Sequence, residues 1–211
     1  EASKIVARFF APEIPYCVQM SDPLQLCESF VSGVNSGADK ALLADQLKSL
    51  KRLVADFDSL PPLALETPNA AAERELTRRF LEAACAFTLT IDDREDFERL
   101  YLQLRPLTGG LKEGQSGVLQ GLYLMLLLVD NRLADFHCEL QLLTEDDLQR
   151  PEIAFPVLME QQLLVGNYDA ILETSRGGPA KLPHPLFDVF MGYITDTVRE
   201  NIAASAEVAY E

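Results

Sequence analysis

Residues Val118–Val129 read VLQGLYLMLLLV, in which Gln120 and the Tyr123 hydroxyl are the only polar side-chain groups. A helix that crosses a bilayer needs about 20 apolar residues, so this run is too short to span one. A helix that is apolar on every side is instead enclosed by other protein. Asp130-Asn131 break the run, and Leu133, Phe136, Leu140 and Leu143 then recur at steps of three and four. That spacing predicts one buried face of an amphipathic helix. Two helices joined by so short a turn run antiparallel. A hairpin with one fully apolar arm needs further helices around it, and stacked helical repeats supply them.

The rest of the chain carries the same period. Residues 1–38 are the least regular, punctuated by Pro12, Pro15, Pro23, Gly33 and Gly37. Within them Leu24–Val31 predicts a short helix, with Ser21 or Asp22 as its cap and Pro23 at its first position. From Asp39 the stripe Leu42, Leu43, Leu47, Leu50, Val54 and Phe57 marks a helix that ends at Leu60-Pro61-Pro62, and Leu63–Asn69 is a loop. Ala70–Leu89 follows, with Leu76, Phe80, Leu81, Ala84 and Phe87 inward. Asp92-Asp93 form a turn and cap. Phe97, Leu100, Tyr101 and Leu104 define the inner face of Asp96–Leu104, before a loop over Pro106–Gly117.

Beyond the central hairpin, Thr144–Asp147 resembles a capping box with Asp in place of Glu. Ile153–Val165 predicts a helix with Pro156 tolerated in its first turn. Gly166-Asn167 stop it, Tyr168, Ile171 and Leu172 begin a short partner, and Ser175–Pro185 is a loop. Leu186–Val208 is the last and longest helix, with Phe187, Phe190, Met191, Ile194, Val198 and Ile202 on one face. No segment alternates with period two, so no strand is predicted.

The turns at Asp93, Asn131 and Asn167 lie 38 and 36 residues apart. That is near the ~34-residue period of tetratricopeptide-like helix pairs. The expected fold is all-α: an N-terminal extension over 1–38, then, over 39–211, a right-handed α-solenoid of antiparallel helix pairs ending in a long helix.

With 211 residues, 48% of them hydrophobic, the chain can bury a sizeable core. Its 33 acidic against 18 basic residues give a net charge of -15. That balance disfavours nucleic acid and anionic membranes and suits a basic protein partner. Cys17, Cys27, Cys85 and Cys138 have no Cys-x-x-Cys spacing. They read as small buried hydrophobes in a reducing compartment. The opening EASKIVARFFAPEIPY has only a very short apolar run, broken by Pro12 and Pro15, and is no signal peptide. With no initial Met, the numbering is not expected to begin at the initiator residue. Cytoplasm together with nucleus is the expected location.

No catalytic constellation emerges, and no cofactor or metal is implied. His137 and Cys138 are adjacent, but neighbouring side chains on a helix point about 100° apart and do not face each other. A partly buried histidine and a buried cysteine are the expectation, with Cys138 slow to alkylate. A cysteine hydrolase would need Cys138 exposed with a depressed pKa. His184 lies between two prolines as a loop residue. Asp92-Asp93 and Asp146-Asp147 sit where helices begin and where the dipole favours them; they lack further ligands at metal spacing. Gly109-Gly110 and Gly177-Gly178 do not fit phosphate-cradling patterns. Lys48, Lys51, Arg52, Arg74, Arg78 and Arg79 read as a solvated helix surface, with a rim contact to an acidic neighbour as the sharper alternative.

Four groups of residues carry a resemblance. The central one is Asn131-Arg132-Leu133-Ala134-Asp135-Phe136-His137 with Glu139-Leu140. Upstream stands Asp96-Phe97-Glu98-Arg99 with Gln103-Leu104. Downstream stand Glu160-Gln161 with Leu163, Gly166 and Tyr168. The last is Asp196-Thr197-Val198-Arg199-Glu200 with Ile202-Ala203 and Ala209-Tyr210-Glu211. In this order they resemble the family of the twelfth non-ATPase subunit of the proteasome regulatory particle lid. Its superfamily also holds signalosome subunit 8 and initiation factor 3 subunit k.

The resemblance implies a non-catalytic scaffold of the lid, in a hetero-oligomeric complex. The expected partners are other lid subunits, above all a neighbouring solenoid-plus-winged-helix subunit, with the adjacent ubiquitin receptor as a further candidate. Family members continue into a winged-helix module that is not expected within these residues. Arg132, Glu139 and Arg199 match the family words although helix geometry does not demand them. They are candidates for partner binding or for salt bridges between stacked helices, and the tight turn at Arg132 favours the latter. The alternatives are a scaffold subunit of the signalosome or of initiation factor 3, or a free helical-repeat adaptor.

Overall fold

The structure, a computed structural model, describes residues 21–61, 64–108, 116–177 and 182–210. The expectations for Cys17, Pro12, Pro15, Gly109-Gly110 and Gly178 lie outside the described residues. Among the described residues every regular element is a helix. The helices are α1 (Ser21–Ser36), α2 (Lys40–Ala55), α3 (Ala70–Thr90), α4 (Arg94–Leu104), α5 (Ser116–Val129), α6 (Leu133–Gln141), the single turn α7 (Glu145–Leu148), α8 (Pro151–Val165), α9 (Tyr168–Ser175) and α10 (Phe187–Tyr210), with a 3-10 turn over Arg105–Leu107. The chain divides into two compact units, Glu1–Ala83 and Ala84–Glu211.

In the first unit the helix expected over Leu24–Val31 is longer and packs on α2 as one arm of a helix pair. The two are joined at Gly37, which takes a left-handed φ of +68°. There the amide of Ala38 donates to the Gly33 carbonyl (3.0 Å) and that of Gly37 to Val34 (3.3 Å). These are the two bonds of a Schellman turn, which satisfies the last carbonyls of a helix. Asp39 caps α2 by accepting from the Ala41 amide at 3.2 Å. Leu43, Leu47 and Leu50 are buried, as are Phe30, Leu76 and Phe80, and the Phe30 and Phe80 rings meet at 6.0 Å. Leu42, placed on this stripe by its spacing, is 56% exposed. One residue turns the helix by about 100°, so Leu42 and Leu43 cannot share a narrow buried face.

The second unit repeats that turn. Asp92, Asn131 and Gly166 adopt positive φ (65°, 56° and 74°). The amides of Asp93, Arg132 and Asn167 reach back to Thr88, Leu127 and Gln162 at 3.0, 2.8 and 2.9 Å. Asn, Asp and Gly are the residues that tolerate this conformation. Each turn joins two helices, α3 to α4, α5 to α6 and α8 to α9, and in the last two of these pairs the two helices pack together. Helix α5 lies along α8 in the same direction, because Gly121 abuts Glu152 near their starts while Leu128 and Leu163 line one cleft near their ends. Parallel first helices of successive pairs are the pattern of an α-solenoid.

Helix α5 packs against α4, α6, α8 and α10, and Leu119 through Leu128 are all buried. Aromatic side chains tighten the surroundings: Tyr101 stacks on Tyr123 at 4.6 Å, and Phe97 meets Phe190 at 6.1 Å. One contact ties α5 to α8 through backbone. Pro156 stands inside α8 rather than in its first turn, because the helix begins earlier, at Pro151. Proline has no N–H, so it cannot bond the carbonyl four residues before it, that of Glu152. Gly121 lies against that oxygen, where a methyl group would overlap it and press on the Phe187 ring at 2.9 Å. The close approach of the two helices here requires glycine.

Candidate interaction surface

The charged side chains of the second unit are organised by its repeat. Glu98 of α4 pairs with Arg132 at 2.6 Å, and Arg105 pairs with Glu139 at 2.8 Å, each across 34 residues. Arg94 reaches Asp130 at 3.2 Å across 36. Equivalent positions on α4 and α6 are thus joined in order, so these two helices also run in the same direction. Arg132 bonds Asp135 as well, at 2.9 Å. The hydrogen bonds it donates, to Glu98 first and then to Asp135, raise its pKa above the ordinary guanidinium value. The arginines are about 40% exposed, so each pair stabilises by at most about 1 kcal/mol.

Beside this ladder, Arg94 lies over the Tyr193 ring, 4.7 Å from its centroid. The Tyr193 hydroxyl donates to Asp92, and that bond above all raises its pKa. Inside, Tyr101 donates to the Gln120 side-chain oxygen, and burial pushes its phenol well above the ordinary value.

Of the three residues singled out in the sequence, Arg132 and Glu139 are engaged within the chain and hold α6 to α4. Among the described residues Arg199 pairs with Asp196 on its own helix, at 2.9 Å, with both side chains more than 60% exposed. Sequence reasoning missed Glu98 and Arg105 as the partners of Arg132 and Glu139, and the Arg94–Asp130 pair beside them. The signal was present, since opposite charges stand one repeat period apart. The arginines of α3 are also engaged: Arg78 bridges Glu75 and Glu82 at 2.8 and 2.6 Å, Arg79 pairs with Glu75 at 2.7 Å, and Arg74 with Glu66 at 2.8 Å. On α3 the surface expected to be simply solvated carries a network of ion pairs along the helix and to Glu66 in the loop before it.

Cys138 is a correction. It is exposed, not buried. On α6 only Phe136 is fully buried, and two residues further the helix has turned by about 200°, which aims Cys138 outward. Cys27 and Cys85 are buried as expected. His137 is half-exposed, with Nε2 3.3 Å from the buried Glu160 carboxylate. His184 accepts from the Leu186 amide at 3.3 Å. Asp93 caps α4 through the Asp96 amide, and Thr144 caps α7 through that of Asp147. Among the described residues no group of three or more His, Cys, Asp or Glu is placed to hold a metal ion.

A family model, the CSN8/PSMD8/EIF3K family, matches residues 117–211, from α5 to the last helix. The 26S proteasome non-ATPase regulatory subunit 8 homolog A of Arabidopsis thaliana is 33% identical over 198 residues, covering 92% of this chain and 72% of the plant protein. The chain belongs to this family. The Caenorhabditis elegans 26S proteasome non-ATPase regulatory subunit 8 is 29% identical over 184 residues, or 83% of this chain and 72% of its own length. The Saccharomyces cerevisiae 26S proteasome regulatory subunit RPN12 is 23% identical over 209 residues, or 94% and 72%. These matches include α4, α5 and α6 and so the residues of the charged ladder.

Proposed function

We propose that this chain is a non-catalytic structural subunit of the lid of the proteasome regulatory particle. It acts in lid assembly, and through the lid in ATP-dependent degradation of ubiquitinated proteins. The observation that carries the reading is the 33% identity to a named proteasome regulatory subunit over 92% of the chain. The fold suits the role. Repeated helix pairs present long surfaces to neighbours while each pair buries its own apolar face. The net charge of -15 favours basic protein surfaces over nucleic acid. Its partners are the other lid subunits, first a neighbouring solenoid-plus-winged-helix subunit, then the adjacent ubiquitin receptor. Arg199, exposed on α10, is the one of the three singled-out residues whose head is directed to a partner rather than between helices. The chain works in cytoplasm and nucleus.

The test is affinity purification of the tagged full-length protein from its native cell, with mass spectrometry of the co-eluting chains. Stoichiometric lid subunits together with the ATPase base are expected. Recovery of initiation-factor or signalosome subunits instead would keep the fold and overturn the assignment. Recovery of no stoichiometric partner would overturn the scaffold role itself.

A further inference from the structure

A cleft of about 350 Å³ opens where five helices of the second unit meet. Leu128, Val129, Asn131 and Leu133 line it from the α5–α6 turn, Glu160, Leu163 and Leu164 from α8, Tyr168 from α9, and Ile194 and Thr197 from α10. Glu160 is the sole charged side chain among these lining residues. It is 7% exposed, and its Oε1 makes no hydrogen bond. His137 Nε2 stands 3.3 Å from that oxygen, at ion-pair distance but outside hydrogen-bond geometry. A buried carboxylate faced by a half-exposed imidazole rather than by a permanent cation is costly, and a cation that entered the cleft would relieve part of the cost. The C-terminal turns of α5 and α8 both border the cleft, and the negative ends of their dipoles add to the attraction. At that end of α8, Leu164 and Val165 stand 64% and 81% exposed.

We propose that this cleft is a docking site for a segment of another protein that presents one lysine or arginine between leucine-sized side chains. The cationic head reaches Glu160 while its aliphatic stem passes the leucine walls, and the flanking apolar groups cover Leu164 and Val165. Charge complementarity selects this occupant: the residues lining the cleft include one buried acid and no lysine or arginine, in a chain of net charge -15. Basic long side chains are suited to such a position because the stem is apolar and only the tip is charged. The proposal stands independently of the assembly in which the chain works.

The test titrates the full chain with a short capped peptide carrying one lysine flanked by leucines, and with the same peptide carrying norleucine or glutamate in its place. Binding is read by methyl chemical shifts of Leu128, Leu163, Leu164 and Ile194. The lysine peptide is expected to shift these methyls and to bind at least about tenfold more tightly than the norleucine peptide. Glu160→Gln should erase that preference and leave norleucine binding unchanged. Leu164→Ser, at an exposed position that the fold does not use, should weaken both peptides. Equal affinity for lysine and norleucine, shifts confined to other methyls, or no binding of the lysine peptide would overturn the proposal. So would methyl shifts that follow protein concentration without peptide, which would assign the cleft to a second copy of the chain.

Discussion

Helices α5 and α6 are the two arms of one hairpin, yet opposite forces hold them. Helix α5 is enclosed by four neighbours and buries every side chain from Leu119 to Leu128. Helix α6 buries Phe136 and is otherwise held to α4 by Glu98–Arg132 and Arg105–Glu139. Apolar burial is insensitive to salt and intolerant of charge, whereas half-exposed ion pairs are individually weak and screened. The centre of the repeat is therefore rigidly specified, while its outer arm is attached by one aromatic anchor and a charged ladder.

The largest test of this contrast is Leu126→Asp. It would place an unpaired charge at a site 1% exposed, and unfolding is expected because such burial costs several kcal/mol. Circular dichroism reads the outcome; a soluble, fully helical variant would sink the claim that α5 is enclosed. Next is Phe136→Ala, which removes the anchor of α6. A loss of about 3–5 kcal/mol is expected from urea denaturation, and a loss near zero would show that α6 does not depend on Phe136.

Smaller still is Glu98→Gln, expected to cost about 0.5–1 kcal/mol at low salt and less at high salt, since Arg132 keeps Asp135. A cost that ignores salt would argue that the pair acts through packing. The smallest effect belongs to Cys138→Ser, within about 0.5 kcal/mol of the parent. In the folded protein a mild thiol reagent should modify Cys138 before Cys27 or Cys85, as mapped by mass spectrometry. Earlier modification of either buried cysteine would contradict the orientation of α6.

The same two helices show how much was legible beforehand. Helix α5 could be read because a fully apolar run admits one environment. The inner face of α4 was read residue for residue, and so were Leu76, Phe80, Leu81, Ala84 and Phe87 of α3, all of them buried. A period of three and four reports a face wherever that face is broad. It failed at Leu42 and Ile202, which the stripe includes and the structure leaves 56% and 42% exposed. It failed at Cys138 because residue type suggested burial while helical phase from Phe136 opposed it. Pro156 was misplaced because Pro151 was not taken as the first residue of α8. The candidate surface was legible only in part: Arg132 was expected to pair within the chain, but neither Glu98 nor Arg105 was named as a partner.

The amino-acid sequence by itself determined the helices, the turns that close them and their repeat spacing. These follow from local physics: apolar periodicity, caps, and residues that accept a positive φ at Asp92, Asn131 and Gly166. Only the tertiary structure decided which helix lies beside which and at what register. That register sets Gly121 against the carbonyl freed by Pro156, joins Glu98 to Arg132, and leaves Glu160 at the side of a cleft. Such contacts depend on side chains tens of residues apart meeting at ångström distances, and no local period encodes that meeting.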